Sequence, residues 1–141
     1  MSKPGNRSLP HRRTRNDHAT ETAEDYVEAA AEIIESKKIC RVSDLAKRFD
    51  VSHVTVSRIV QRLVNENLLV TEPYRPIELT EKGRRLAQIA KKRHQIVYDF
   101  LLAIGVDEKT AAIDSEGIEH HVSKATLDAM TDFVASRKSE K

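Results

Sequence analysis

The sequence has no tryptophan and one cysteine, and aromatic residues make up only 4% of it. A lone thiol, Cys40, excludes an intramolecular disulfide, so the fold is not one held by covalent cross-links. Between Ile39 and Arg41, Cys40 reads as a small buried residue or a bland surface thiol, not a nucleophile. So few aromatics leave the core to aliphatic side chains and argue against a roomy pocket for an organic effector. Glycine and proline are scarce too, at four each, and with 33% charged residues this points to a largely helical chain. No stretch approaches the ~18 apolar residues of a membrane span. The N-terminus lacks the apolar region of a signal peptide, so the expected location is cytoplasmic, with no membrane partner. A net charge of +2 excludes a polycation, and any nucleic-acid surface must arise from local clustering. The 141 residues suffice for one compact domain, or a small domain with a short second one.

What charge there is lies unevenly. Residues 1–20 hold Lys3, Arg7, Arg12, Arg13 and Arg15 against Asp17, with Pro4, Gly5 and Pro10 interrupting any period. They read as a disordered basic arm, either tracking DNA phosphates or simply solvated. The first helix is expected to begin near Thr22, which could cap with Asp25, and carries Val27, Ala30, Ala31 and Ile34 at helical spacing. A short second helix has Ser43 as candidate cap and Leu45, Ala46 and Phe49 facing inward. Ser52 can cap a third helix whose apolar stripe is Val56, Ile59, Val60 and Leu63, with Asn67 suited to the left-handed position beyond its end. Residues 68–71 and 77–80 read as two short strands around Glu72, Pro73, Tyr74, Arg75 and Pro76. A long helix then runs from near Thr80 to Ala103 or Ile104, with Leu86, Ala90, Arg93, Val97, Phe100, Leu101 and Ile104 on roughly heptad spacing as its stripe and Gly105 just beyond. Asp107 and Ser123 can cap two further helices. The expected organisation is a basic arm (1–20), a DNA-binding domain (21–80) and a helical domain (81–141).

Short helix, tight turn, helix and two-stranded hairpin follow one another in the order of a winged helix-turn-helix. Opposite the apolar stripe of the third helix lie Thr55, Arg58, Arg62 and Asn65, at offsets of three, seven and ten residues. They form one polar face that could enter a major groove. Ser52, His53, Thr55, Ser57 and Arg58 come nearest to base edges, and Arg58 suits a guanine contact. Arg62 suits a phosphate, and Arg75, at the hairpin tip, an adjacent backbone or groove. Taken alone, Arg58 and Arg62 could equally be surface arginines of an amphipathic helix; the helix-turn-helix order favours DNA.

A second constellation lies at residues 114–123, Asp-Ser-Glu-Gly-Ile-Glu-His-His-Val-Ser. On a regular α-helix Glu116, Glu119 and His120 fall within about 100° of one another, whereas His121 points about 140° from Glu116. Two carboxylates and an imidazole converging are an incomplete metal site. His94, at the margin of the long helix's apolar stripe, reads by itself as a core-edge histidine. The row Asp25, Glu28, Glu32 and Glu35 on the first helix reads by itself as a solvated acidic stripe.

Asp25-Tyr26-Val27-Glu28, Arg93-His94-Gln95, Leu101-Leu102-Ala103-Ile104-Gly105-Val106 and Glu116-Gly117-Ile118-Glu119-His120-His121 together resemble the diphtheria-toxin-repressor superfamily. More narrowly, they resemble its manganese transport regulator branch. The resemblance covers residues 22–136. It implies a mainly α fold: an N-terminal winged helix-turn-helix with a β-hairpin wing, then an all-helical dimerisation domain, and no SH3-like third domain. It also implies Asp25, Glu28, His94, Glu116, Glu119 and His120 as ligands of Mn²⁺, two ions per protomer, with carboxylates bridging. Iron-responsive relatives have methionine where Asp25 stands and cysteine where Glu116 stands. Four carboxylates and two imidazoles without a thiolate suit Mn²⁺ and tolerate Fe²⁺. His53 and Val54 at the start of the recognition helix, and Pro76 after Arg75 where relatives often have glycine, bear on which operator is read.

The expected function is a homodimeric repressor of manganese uptake genes that binds double-stranded operator DNA when Mn²⁺ bridges the DNA-binding and dimerisation domains. The alternative is an iron-responsive or metal-independent winged-helix regulator. A metallohydrolase is disfavoured because the His-Glu-x-x-His order is missing. No catalytic residue and no organic substrate are therefore expected.

Overall fold

The structure, a computed structural model, describes the backbone of residues 9–139 and the side chains of residues 19–138. It contains two compact units, Met1–Ile89 and Ala90–Lys141, each with its own hydrophobic core. Among the described residues no helix is long and apolar enough to cross a membrane.

The first unit opens with α1 (Leu9–Lys37), which starts well before the expected Thr22. Part of the expected irregular arm lies outside the described residues; from Leu9 onward the backbone is helical. Pro10 is the reason the sequence misled. In the first turn of a helix proline loses no intrahelical bond, since its missing N–H would be an orphan there. No glycine or proline follows it before Lys37. The apolar face of α1 buries Val27, Ala30 and Ile33, and Tyr26 stacks on Phe49 with ring centroids 4.4 Å apart.

α2 (Val42–Phe49) and α3 (His53–Asn65) form the helix-turn-helix. The start of α2 is set not by Ser43, which lies inside it, but by Asp44, whose carboxylate accepts from the Arg41 backbone N–H at 2.9 Å. That carboxylate also accepts from Lys37 Nζ at 2.6 Å, and this bond, with the backbone one, holds the Asp44 carboxyl below its ordinary value. Asp50 ends α2 in the left-handed region, and Ser52 caps α3 by accepting from Thr55 N at 3.1 Å. Of the expected stripe Val56, Val60 and Leu63 are buried and Ile59 is half-buried, and each of the three buried residues contributes roughly 2 kcal/mol by leaving water. Asn67, with φ 62°, turns the chain into the wing.

The wing strands are shorter than expected. β1 (Leu69–Val70) pairs antiparallel with β2 (Glu78–Leu79), Leu69 opposite Leu79. A bridge between Ile77 and Cys40, whose carbonyl accepts from Ile77 N at 2.7 Å, ties the wing to the start of the helix-turn-helix. Cys40 is fully buried there, and burial, then the Asp44 charge, pushes its thiol up to about 11. Thr80 links wing to helix: its Oγ1 donates to the Asn67 carbonyl at 2.7 Å and accepts from Gly83 N at 2.9 Å. Gly83 is required at this junction, because a Cβ there would lie 2.1 Å from the Leu68 carbonyl oxygen.

α4 (Glu81–Ala103) begins in the first unit and continues into the second, ending where Gly105 takes φ 102°. α5 (Glu108–Ile118) is capped by Asp107, which accepts from Thr110 N at 3.0 Å. Glu119–His121 form a single 3₁₀ turn, and α6 (Lys124–Ser139) begins after Ser123, whose Oγ accepts from Thr126 N. The second core is small: Val97, Leu101 and Ala111 are buried, with Ile118, Leu127 and Met130 packed around them.

Candidate metal centre and nucleic-acid interface

In the second unit His94, on α4, meets the residues that end α5. Its Nδ1 lies 2.8 Å from Glu119 Oε2 and 4.0 Å from Glu116 Oε1. One donor atom from each of His94, Glu116 and Glu119 falls within 4.8 Å of the other two. His94 is thereby a member of a donor cluster and not merely a core-edge residue, with the Tyr98 ring stacked 6.4 Å from it.

The regular-helix reading of the 116–120 motif needs correcting. α5 stops at Ile118, and the following 3₁₀ turn rotates each residue by a larger angle than an α-helix does. Glu119 is turned inward and is only 1% exposed, while Glu116, with a side chain 69% exposed, remains at the rim. His120 approaches Glu119 from its other oxygen, with Nε2 3.3 Å from Oε1. One buried carboxylate thus faces an imidazole on each side. His121 is exposed and takes no part in the cluster of His94, Glu116 and Glu119.

A buried, charged carboxylate is costly unless it is paired. Its neighbours here are imidazoles, groups whose proton a metal ion can replace. The donor set of carboxylate oxygens and imidazole nitrogens, with no thiolate, fits a divalent ion of the harder kind.

In the first unit Asp25 and Glu28 lie three residues apart on α1, both half-buried. The expected acidic row is not one solvated stripe: Asp25, Glu28 and Glu32 are half-buried and only Glu35 is exposed, while Glu32 pairs with Arg48 at the surface. Glu21, one turn before Asp25 and likewise half-buried, is a carboxylate the sequence reading passed over. Its i, i+4 spacing from Asp25 was the available signal.

The nucleic-acid face is also in the first unit. His53, Thr55, Ser57 and Arg58 are exposed on α3, as is Ser52 at its cap. Arg58 makes no ion pair among the described residues. The Ser52 and Thr55 hydroxyls are 2.9 Å apart and tied into the cap. Arg62 is engaged rather than free: its Nη2 donates to the Ala19 carbonyl at 3.2 Å, and its Nε lies 3.9 Å from Glu66 Oε1. Arg75 is in the wing turn, 3.3 Å from Glu72 Oε2, beside a wholly exposed Tyr74. Val54, 68% exposed, adds an apolar contact surface to the first turn of α3 that the sequence reading had noted only as a departure.

The profile of the iron-dependent repressor N-terminal DNA-binding domain matches residues 18–77, and that of the iron-dependent repressor metal-binding and dimerisation domain matches residues 80–140. The transcriptional regulator MntR of Escherichia coli is 43% identical over 122 residues, covering 86% of this chain and 79% of that protein. The chain belongs to the iron-dependent repressor family. The HTH-type transcriptional regulator MntR of Geobacillus kaustophilus is 42% identical over 115 residues, covering 82% of each chain. The structure of the manganese regulator SloR superposes with a TM-score of 0.71 at 25% identity, over 80% of this chain and 53% of that one. This iron-dependent repressor family member thus spans about half the length of that structural neighbour. The metal-dependent regulator MtsR shares the fold, with a TM-score of 0.73. As a family member the chain is a DNA-binding, metal-dependent transcriptional regulator and not an enzyme; DNA binding belongs to the first matched domain, divalent metal binding and dimerisation to the second.

Proposed function

We propose that this regulator responds to manganese, held by Asp25, Glu28, His94, Glu116, Glu119 and His120. When loaded it binds operator DNA as a homodimer in the cytoplasm and represses manganese uptake genes. The observation that carries this reading is the convergence of His94, Glu116 and Glu119 into one hard-donor cluster. Support for manganese comes from the absence of any thiolate in the proposed set. Two relatives are named MntR, and SloR is described as a manganese regulator. Support for two ions per protomer comes from Glu119, whose two oxygens face different imidazoles, the arrangement a bridging carboxylate needs.

A bound divalent ion supplies positive charge that neutralises the gathered carboxylates. The chain's own residues do the rest. His94 and His120 flank the two oxygens of Glu119. Since the proposed ligands are drawn from both matched domains, a bound ion would favour conformations in which Asp25 and Glu28 can be used together with His94, Glu116, Glu119 and His120. A coupling of about 1–3 kcal/mol suffices for a 5- to 150-fold change in DNA affinity. Ser52, His53, Thr55, Ser57 and Arg58 then read DNA, with Arg62 and Arg75 at phosphate or groove edges. For Arg62 and Arg75 this means exchanging a protein carboxylate for a phosphate.

The test is binding to an importer-promoter duplex, titrated anaerobically with chelator-buffered Mn²⁺, Fe²⁺ and Zn²⁺. Activation by Mn²⁺ that a chelator reverses is expected, and it should be lost in Glu116→Ala and in His120→Ala while both variants remain folded dimers. Unchanged metal-activated affinity in either variant rejects the ligand assignment. Arg58→Ala should weaken specific binding with metal affinity intact; an untouched operator affinity would remove Arg58 from the reading face.

A further inference from the structure

α1 changes sign along its length. From Leu9 to Ala19 it carries Arg12, Arg13 and Arg15 against Asp17; from Thr20 to Ser36 it carries Glu21, Glu24, Asp25, Glu28, Glu32 and Glu35 and no lysine or arginine. The change falls at the turn that α3 grips, where Arg62 Nη2 donates to the Ala19 carbonyl at 3.2 Å. Arg62 belongs to the polar face of α3 shared with Thr55 and Arg58, so that bond places Ala19 beside the stripe proposed to face DNA.

Upstream of this anchor about 15 Å of helix remains, at 1.5 Å per residue from Leu9 to Ala19. Each DNA strand carries a phosphate every ~3.4 Å of duplex, so that length can pass several phosphates. A basic helical segment fixed at the edge of a recognition helix has one natural counterpart, the sugar-phosphate backbone flanking the groove. The acidic remainder of α1 holds Asp25 and Glu28 and has no such use.

We propose that the N-terminal segment of α1, with Arg12, Arg13 and Arg15, is a second DNA-contacting element that binds backbone phosphates, and that Arg62 is the positioning residue that docks it against α3. The inference rests on the DNA-binding reading of α3. It assigns this segment affinity without sequence preference, since phosphates position a protein but carry no base identity.

The experiment compares the full chain with its Arg12→Gln/Arg13→Gln/Arg15→Gln variant. Glutamine retains helix propensity while removing charge. Both proteins, saturated with Mn²⁺, are titrated with an operator duplex and a scrambled duplex of equal length over a range of salt concentrations. Each phosphate contact contributes about 0.9 to the slope of log affinity against log salt, so the variant's slope should be shallower by about 2–3 on both duplexes. Affinity at low salt should fall at least tenfold on both, with the ratio between duplexes and the Mn²⁺ activation ratio unchanged. An unchanged slope overturns the proposal, as does a loss confined to the operator. If the wild-type chain itself binds neither duplex, the DNA reading of α3 fails first. Arg62→Lys keeps the charge but not the geometry; a slope like that of the triple variant is expected from it, and a wild-type slope removes Arg62's docking role.

Discussion

Glu119 illustrates how much a single side chain decides. Its carboxylate is buried between His94 and His120, so its charge matters more than its size. Glu119→Gln keeps shape and some hydrogen bonding while deleting the charge. We expect a folded protein whose Mn²⁺ affinity, measured by calorimetry, falls by more than about 100-fold, beyond the 10–100-fold typical of losing an outer-shell partner. A fall smaller than tenfold would show that Glu119 is not a direct ligand. Glu119 and its neighbours were legible in the sequence because Glu-Gly-Ile-Glu-His-His is a compact motif. Its burial was not, because a regular-helix projection cannot foresee where α5 gives way to a 3₁₀ turn. Gly83 went unnoticed for a similar reason: nothing in local spacing reveals that the Leu68 carbonyl comes so close. Gly83→Ala must displace backbone, and should cost about 1–3 kcal/mol in denaturant unfolding; an unaltered midpoint would mean that the wing moves freely relative to α4.

The elements that were legible are those whose ends carry their own chemistry. Ser52, Asp107 and Ser123 each accept from the backbone N–H three residues on, as capping residues do. α1 and α2 were misread at their starts because there the deciding features are indirect. Pro10 is tolerated in a first turn, and α2 is begun by the side chain of Asp44 reaching back to Arg41. Asp44 and Asp107 both have carboxyls below their ordinary value. For Asp44 the main cause is the Lys37 hydrogen bond, and for Asp107 it is the Thr110 N–H. A folded-state pKa that is depressed adds stability above the unfolded value of about 3.8. That contribution is lost as pH falls from there through the folded values. Asp44→Asn should therefore lower stability at pH 7 and flatten the decline in stability below pH 4, as followed by helical circular dichroism. An acid limb as steep as that of the wild type would show that Asp44 adds nothing through ionisation.

At the scale of the whole molecule the two units are unequal in how well they can stand alone. The first buries residues from α1 through the start of α4 around Val27, Leu45, Leu63 and Leu69. The second buries Val97, Leu101 and Ala111 and leaves Ile104, Ile113 and Phe133 exposed. A core that small rarely supports a domain by itself, and residues 80–140 match a dimerisation domain. We propose that the exposed isoleucines Ile104 and Ile113, with the exposed edge of Phe133, are surface that a second copy removes from water. Sequence patterning found the buried stripe of α4 but assigned the exposed Ile104 to it, because periodicity does not show where the packing of a stripe stops. Stability of such a protein is inseparable from protomer concentration. We expect the thermal midpoint of the second unit's transition to rise with protein concentration from about 1 to 100 μM. Mn²⁺ at about a hundredfold excess over its dissociation constant should add about 2.7 kcal/mol per occupied site at every concentration, an increment that Glu119→Gln abolishes at the sites it serves. Calorimetric scans of both proteins across that range separate the two effects. A midpoint independent of concentration would place the exposed apolar residues outside any dimer interface, and a Mn²⁺ increment surviving in Glu119→Gln would place the stabilising ion elsewhere.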